Sequence, residues 1–296
     1  MQSLAVQHQF RGSRAASFQT EQRLRFSGLS SARSALAGTR VCYSARPRSR
    51  PSMASQRLQV SPRAQGDRLE LDPDNASILV CGGGGVALEV TRKLKDMGSW
   101  VWMLQRTEER RKEIEGMMAI VSNGDALNKE DVEKVFTDID EVDAVISTIG
   151  GTTANPLADS EGNINVIEAA LKKGVRKFVL VTSIGCGESR DATPAEVYET
   201  LKPVLVEKEK AEARLMENGD KMTFVIIRPG GLKSDDATGT AVLTESTGVI
   251  GTVTRKDVAA LTVKALFSDK ANNKVLSCVD QNGLFESSKD FEVFEL

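Results

Sequence analysis

Four consecutive glycines, Gly82 to Gly85, stand directly after a short apolar run and directly before a stretch with helical spacing. With Ala87 they satisfy the pattern G-x-G-x-x-A. In this pattern the first glycine permits a tight turn, the second lets the main chain approach a diphosphate, and the small third residue lets helix and strand pack closely. The diphosphate then lies on the free N–H groups of the helix start. The predicted phosphate-binding residues are Gly82, Gly83, Gly84, Gly85, Val86 and Ala87.

This glycine motif alone is also compatible with a simple glycine-rich turn. Its position between a strand and a helix, at the start of a strand–helix repeat, favours a dinucleotide-binding loop. A nucleotide-hydrolysing P-loop is not indicated, because no Gly-Lys-Ser/Thr follows the glycines.

The residues after the second apolar run bear on the choice between NAD and NADP. Sites selective for NAD place an Asp or Glu about 20 residues after the glycines. Here that acid is missing and Arg106 is present, followed by Arg110 and Arg111. A guanidinium can bind the 2′-phosphate of NADP through two parallel hydrogen bonds. The alternative is a solvated basic helix start whose glutamates pair with the arginines, but NADP is favoured over NAD.

From residue 76 onward, short apolar runs alternate with stretches of helical spacing. The runs predict strands at 77–80, 101–104, 119–121, 142–146, 177–181, 223–227 and 274–278. The intervening stretches predict helices at 86–97, 107–117, 129–136, 162–173, 204–218 and 256–267. Such alternation is typical of a parallel sheet covered on both faces. We therefore expect an α/β fold, a single Rossmann domain with one doubly wound parallel sheet and its core at 76–280.

Two segments of this domain carry no predicted helix or strand. Residues 230–251 are rich in Gly, Thr and Ser, and they could form a lid or substrate-side loop, or equally a mobile surface loop. The tail at 281–296 is acidic and aromatic, and the sequence assigns it no role.

The first 66 residues differ in composition from the rest of the chain. They contain eleven Arg, twelve Ser and no Lys, and Glu21 is their one acidic residue. This composition is typical of an organellar transit peptide, and the Ser content with the Pro-Arg run at 46–51 favours the plastid. The alternative is a basic tail that stays attached and binds nucleic acid. We expect a disordered plastid transit peptide at 1–66 and an NAD(P)-binding domain at 67–296, in the chloroplast stroma or at the thylakoid.

The charge of the predicted domain limits its partners. The chain has 39 basic and 41 acidic residues, and 28 and 40 of these lie after residue 66, a formal net charge of −12. Such a domain repels phosphate backbones, which argues against a nucleic-acid partner. No run of 18 apolar residues predicts a membrane span. His8 is the single histidine and the cysteines are far apart, so no metal site is predicted.

Several stretches after the glycines resemble the atypical short-chain dehydrogenases/reductases, and most of all the NmrA-like NAD(P)-binding proteins of cyanobacteria and plastids. The resemblance covers residues 77–279. It is carried by Gly124-Asp125-Ala126-Leu127 and by the runs at 143–151, 161–170, 174–185, 225–232 and 255–259. The glycine loop departs from the family's G-x-x-G-x-x-G, because its last glycine would fall on Leu88.

The resemblance implies cofactor contacts at the ends of three predicted strands. Asp125, after the third strand, would meet the adenine edge. The end of the fourth strand would pass beside the riboses, and the turn after the sixth strand would lie over the nicotinamide. The implied contact residues are Asp125, Ala126, Thr148, Ile149, Gly150, Pro229 and Gly230.

Typical members of the wider family use a Tyr-x-x-x-Lys pair, in which the lysine lowers the tyrosine pKa and holds the nicotinamide ribose. Tyr198 and Lys202 have this spacing, but Pro203 follows at once and predicts a helix start or break. Lys208 aligns better with the family, because its surroundings resemble the K-x-x-A-E helix. Val204 then occupies the tyrosine position, and Tyr198 is expected in the loop before the helix.

Ser183 and Lys208 are the candidate catalytic residues that the resemblance implies. Ser183 matches the family's catalytic serine, although a small residue is expected beside a cofactor in any case. Lys208 would bind the nicotinamide ribose, unless it is an exposed lysine among other charged helix residues.

These observations favour an NADP(H)-binding oxidoreductase that acts on a small metabolite, a flavin or a quinone. The missing tyrosine leaves open a non-catalytic NADP(H)-binding protein, either a redox sensor or an assembly or tethering factor at the thylakoid. The predicted partner is accordingly a small-molecule substrate or a thylakoid protein. A hydrolase is not supported, because the sequence has no G-x-S-x-G and no histidine after residue 8.

Overall fold

The computed structural model describes residues 71–296, so the predicted transit peptide lies outside the described residues. The strands are β1 (Ser77–Cys81), β2 (Trp100–Gln105), β3 (Ile120–Asn123), β4 (Ala144–Ser147), β5 (Lys177–Val181), β6 (Thr223–Pro229), β7 (Gly231–Lys233), β8 (Ala241–Thr244), β9 (Thr252–Thr254) and β10 (Lys274–Asp280). The helices are α1 (Gly85–Asp96), α2 (Arg111–Gly116), α3 (Lys129–Asp138), α4 (Asn163–Lys173), α5 (Ala195–Met216) and α6 (Arg255–Phe267).

Eight strands form one sheet in the order β3-β2-β1-β4-β5-β6-β10-β8, and all neighbours are parallel except β10 and β8. The strand order changes direction between β1 and β4, where Val80 pairs with Ile146. In doubly wound sheets, ligands bind at the carboxyl ends of the strands at such a point. The predicted α/β Rossmann fold is confirmed, and the fold identifies the edge where a site is expected.

Helices cover the sheet on both faces. One core lies between the sheet and α1, α2 and α6, and the other lies between the sheet and α3, α4 and α5. The side chains of β1 alternate between the two cores: Ile78 and Val80 belong to the first, Leu79 and Cys81 to the second. Burial on both faces explains why the predicted strands read as continuous apolar runs.

The segment at 230–251 contains two strands that the sequence did not predict. β7 pairs with β9 in a separate two-stranded sheet, and β8 adds an antiparallel edge to β10. The tail covers this edge, because the Phe294 N–H donates to the Leu243 carbonyl at 2.7 Å. Both pairings join residues far apart in sequence, so no local pattern predicts them. Covering the edge removes unpaired backbone groups that would promote aggregation.

Helix α5 begins at Ala195, nine residues before the predicted start at 204. Tyr198 is therefore inside the helix and not in a preceding loop, and Pro203 is also within it. The proline ring is exposed, whereas Tyr198 and Leu205 are buried together with Cys186. We infer that this packing outweighs the cost of an internal proline, which is about 3 kcal/mol.

Pro203→Ala should therefore stabilise the protein. Alanine supplies the N–H that proline lacks, which can bond to the carbonyl four residues earlier, and it raises helix propensity. The expected gain in the free energy of unfolding is about 1–3 kcal/mol, measured by denaturant titration. An unchanged or lower unfolding midpoint would contradict the placement of Pro203 inside a regular helix.

Candidate active site

The carboxyl ends of β1 and β4 meet at Gly82 and Thr148. Gly82 has a φ of +126°, a conformation that favours glycine. A methyl group on Gly82 would lie 2.5 Å from Thr148 Oγ1, so no side chain fits there. The Thr148 N–H donates to the Cys81 carbonyl at 2.8 Å, which extends the pairing of the two strands. The tight turn expected of Gly82 is thus present, and it brings Thr148 against the glycine loop.

The start of α1 has the form of an anion-binding site. Its N-cap is Gly84, no side chain caps the helix, and its first turn has no acidic residue. A methyl group on Gly84 would meet no atom within 4 Å, so the backbone there is open to a ligand. Ala87 is fully buried, as close packing of helix and strand requires. A helix N-terminus of this kind fits the diphosphate of a dinucleotide.

Gln105, the last residue of β2, supports the glycine loop and was missed in the sequence. Its side-chain Nε2 donates to the carbonyls of Gly82 at 2.7 Å and Leu104 at 3.0 Å. A methyl group on Gly83 would lie 2.8 Å from Gln105 Oε1. A carboxylate could not donate these hydrogen bonds, so this support of the glycine loop requires an amide at the end of β2.

The three arginines after β2 differ in their partners. Arg111 pairs with Glu108 at 2.6 Å and with Glu115 at 2.8 Å. Arg106 and Arg110 are exposed, and neither makes an ion pair within the part of the chain that the structure describes. The alternative of glutamates neutralising the arginines therefore applies to Arg111 only.

The turn after β3 is fixed by its own polar groups. Asp125 accepts a hydrogen bond from the Leu127 N–H at 3.0 Å through one carboxylate oxygen, and its own N–H donates to Asp131. The Ala126 carbonyl accepts a hydrogen bond from the Asn165 side chain at 2.9 Å. Asp125 and Ala126 thus lie in an ordered turn at the carboxyl edge of the sheet, beside the end of β2.

Lys208 reaches the end of β4 from α5. Its Nζ lies 2.6 Å from Asp159 Oδ1, and Asp159 belongs to a π-helical turn at Ala158–Gly162. A methyl group on Gly150 would lie 3.5 Å from the same nitrogen. The second Asp159 oxygen accepts the Gly151 N–H at 2.8 Å. The Lys208 side chain is only 15% exposed, so it is not a solvated helix lysine. With three N–H donors, its ammonium can bind Asp159 and a ligand at once.

Ile149 completes this part of the edge. Its carbonyl accepts a hydrogen bond from the Asn163 side chain at 3.3 Å, and the Asn163 amide oxygen accepts the Ser147 hydroxyl at 2.5 Å. The residues Thr148, Ile149 and Gly150 are therefore held from both sides, by the glycine loop and by the start of α4.

Ser183 lies two residues beyond β5 and is partly buried. Its hydroxyl donates to the Ile184 carbonyl at 3.0 Å. The Ile184 N–H in turn donates to the Pro229 carbonyl at 2.9 Å, which brings the Ser183 turn beside Pro229 and Gly230. Gly230 is confined because a methyl group there would clash with the Gly251 carbonyl.

A buried ion pair fastens α5 to the strands beneath it. Arg228 of β6 donates to Glu212 of α5 through Nη2 at 2.6 Å and Nε at 3.0 Å, and the Thr182 hydroxyl donates to Glu212 at 2.6 Å. Arg228 and Glu212 are 5% and 1% exposed. Burial lowers the pKa of Arg228, but hydrogen bonding to Glu212 and the charge of that residue raise it above its ordinary value. The pair places Lys208, one helical turn before Glu212, over the end of β4.

Tyr198 and Lys202 differ in their surroundings. Tyr198 is buried, and the Arg190 guanidinium lies 4.5 Å from its ring centroid. Lys202 is 49% exposed and pairs with Glu199 at 3.2 Å. Val204 and not a tyrosine precedes Lys208 by one turn.

Glu212→Gln should destabilise the protein strongly. It leaves Arg228 as an uncompensated buried charge, which costs about 3–5 kcal/mol. Glu199→Gln is the matched control on the same helix, because its pair with Lys202 is exposed and is worth about 0–1 kcal/mol. Denaturant titration of both variants measures the difference. Equal losses of unfolding free energy in the two variants would show that the buried pair does not hold α5.

The described residues show neither a metal site nor a membrane span. Among residues 71–296, no three His, Cys, Asp or Glu side chains are arranged to hold a metal ion. In the same range, no helix combines the length and apolar character needed to cross a membrane.

Comparison with known proteins identifies the family. A family model described as NAD(P)H-binding matches residues 82–269. An uncharacterized chloroplastic protein of Arabidopsis thaliana is 37% identical over 126 residues, which span 41% of this chain and 44% of that protein. Protein TIC 62 of the same plant, also chloroplastic, is 29% identical over 121 residues, 35% of this chain and 18% of its own length. The chain thus matches less than half of either relative.

Among solved structures, the anaerobillin reductase ChuY of Escherichia coli O157:H7 is similar with a TM-score of 0.63 and 27% identity. The alignment covers 70% of this chain and 98% of that one. The residues matched by the family model, 82–269, include the glycine loop and the strands from β2 to β9. The resemblance to atypical short-chain dehydrogenases/reductases is confirmed, and the chain belongs to the NAD(P)H-binding family.

Proposed function

We propose that this protein is an NADP(H)-dependent oxidoreductase of the chloroplast. One observation carries the cofactor part of the proposal: Lys208 Nζ lies against Gly150 and is held there by Asp159, at the sheet edge where the glycine loop opens. A lysine in this position can bind the nicotinamide ribose while the loop binds the diphosphate. A protein that only recognised the adenosine half would not need this lysine.

Each part of the cofactor would contact a different group of residues at this edge of the sheet. The amides of Gly84, Gly85 and Val86 would bind the diphosphate, and Arg106 would bind the 2′-phosphate. Asp125 and Ala126 would lie at the adenine, and the β4 end and Lys208 at the riboses. Pro229 and Gly230 would lie over the nicotinamide, beside Ser183. When bound, NADPH supplies a hydride at this point.

The absent tyrosine limits the class of acceptor. In the family alignment Val204 takes the position of the proton donor, and Tyr198 is buried against Cys186 and Leu205. Ser183 can donate a hydrogen bond to an acceptor if its hydroxyl leaves the Ile184 carbonyl. We therefore propose an acceptor that takes a hydride without a proton from tyrosine, such as a flavin, a quinone or an already protonated small metabolite.

The plastid location rests on two supports. The composition of residues 1–66 is typical of a transit peptide. Two similar proteins, including the 37% identical one from Arabidopsis, are described as chloroplastic. The proposed location is the chloroplast stroma or the thylakoid surface.

The second candidate function is a non-catalytic NADP(H)-binding protein that senses redox state or tethers a partner at the thylakoid. The missing tyrosine favours it, because Val204 precedes Lys208 by one helical turn. Both candidates share the cofactor site and differ in whether an acceptor is reduced.

Loss of NADPH absorbance, followed with the purified protein and a panel of quinones, flavins and carbonyl compounds, separates the two functions. The proposal predicts acceptor-dependent oxidation of NADPH that is faster than with NADH. Tight NADPH binding with no oxidation by any acceptor would contradict the oxidoreductase and favour the binding protein.

Arg106→Asp should weaken NADP(H) by about tenfold or more and change NAD(H) much less, since a charge-assisted hydrogen bond contributes about 1.5–3 kcal/mol. Arg111→Asp makes the same change of charge at a residue already paired with two glutamates, so it should have a smaller effect. Calorimetric titration gives both affinities. An unchanged preference for NADP(H) in Arg106→Asp would refute the role of this arginine.

Lys208→Ala should weaken NADPH by about 1–2 kcal/mol, because at least one hydrogen bond to a ribose hydroxyl is lost. Tyr198→Phe should leave both affinity and turnover nearly unchanged. NADPH titration of both variants in the same buffer, with melting curves to verify folding, tests the pair. Loss of activity in Tyr198→Phe alone would mean that the protein is a conventional tyrosine-dependent reductase.

A further inference from the structure

Arg255, the first residue of α6, packs against the glycine loop, although the sequence places it 170 residues after Gly85. A methyl group on Gly85 would lie 2.9 Å from Arg255 Cδ and 3.6 Å from its Nε. The guanidinium Nη1 donates to the Ser234 hydroxyl at 2.7 Å and to the Leu232 carbonyl at 3.4 Å. The Arg255 side chain therefore extends from the glycine loop to β7 and the residue that follows it.

The charge of Arg255 is not neutralised in this position. Among the described residues it makes no ion pair, whereas its neighbour Lys256 pairs with Asp236 at 2.5 Å. Asp257, in the same first turn, is held by Thr254, Thr238 and Gly239; burial raises its pKa, but these hydrogen bonds lower it below the ordinary value. Within residues 71–296, Arg255 thus has hydroxyl and carbonyl partners only, and these do not neutralise its positive charge.

The position of Arg255 adds its positive charge to the positive potential at the start of α1. It lies at the first turn of α1, where the aligned peptide dipoles already give a positive potential and no acidic side chain is present. A guanidinium has five N–H donors, and Nη1 alone serves Ser234 and Leu232. Nε and Nη2 remain for an anion, and Nε is on the side of the glycine loop.

We propose that Arg255 binds the cofactor diphosphate together with the amides of the glycine loop, and that the same guanidinium holds Leu232 and Ser234 beside the bound cofactor. The assignment rests on the proposed NADP(H) site. It adds a phosphate contact from helix α6 to the contacts made by the start of α1. It also gives the two phosphate-binding arginines different roles. Arg106 recognises the 2′-phosphate, and Arg255 the phosphates that bridge the two nucleosides.

Competition binding against NADPH fluorescence tests the assignment with three probes: NADP⁺, 2′,5′-ADP and 2′-AMP. The first two carry a phosphate on the adenosine 5′-oxygen, and 2′-AMP carries only the 2′-phosphate. Arg255→Gln should weaken NADP⁺ and 2′,5′-ADP by about tenfold or more and leave 2′-AMP nearly unchanged. Arg106→Asp should weaken all three.

Lys256→Gln is the matched control, because it removes one positive charge from the adjacent residue without contact to the glycine loop. It should change each affinity by less than about threefold, the scale of a screened surface charge. Arg255→Lys keeps the charge but loses the forked geometry, so a partial loss is expected. This variant also decides the question if Arg255→Gln does not fold.

Three outcomes would overturn the assignment. Wild-type affinities in both Arg255 variants would show that the diphosphate does not touch this residue. If Arg255→Gln weakened 2′-AMP binding as much as binding of the other two probes, the substitution would act through the 2′-phosphate or through the fold. Wild-type protein without affinity for any of the three probes would overturn the proposed function itself, a result distinct from the first two.

Discussion

The close contact between the ends of β1 and β4 determines the geometry of the whole site. Gly82 turns the chain with a φ of +126° and leaves no room for a side chain beside Thr148. Because of this turn, α1 starts at Gly85, and its first N–H groups are directed to the carboxyl edge of the sheet. Gln105 fixes the same turn from the other side. A side chain at position 82 would clash with Thr148 and disturb the turn that leads into α1.

Helix α5 contributes the second half of the site through two ion pairs on one face. Glu212 and Lys208 are four residues apart, so both point toward the sheet. The Glu212–Arg228 pair is almost completely buried and positions the helix, whereas Lys208 keeps part of its ammonium accessible beside Gly150. Burying two charges is costly unless hydrogen bonds satisfy them, and Thr182 supplies one of these bonds. Because the Glu212–Arg228 pair positions the helix and Asp159 binds Lys208, the lysine is held in place without a neighbouring tyrosine.

The sequence predicted those parts of the structure that depend on local pattern. The seven predicted strands became the seven parallel strands, because burial on both faces produces continuous apolar runs. The glycine loop was predicted because each of its positions has a steric requirement. The start of α5 was predicted wrongly, since the cost of Pro203 was overcome by tertiary packing of Tyr198. Gln105, Asp159 and Arg255 were missed, because their partners at Gly82, Lys208 and Gly85 are distant in sequence, and only the fold brings them together.

A crystal structure of the protein with NADP⁺ tests the central claim most directly. We expect the diphosphate within hydrogen-bond distance of the Gly84–Val86 amides, the 2′-phosphate at Arg106 and the nicotinamide ribose at Lys208. Density for the dinucleotide at another edge of the sheet, or a diphosphate that does not contact the start of α1, would contradict the account.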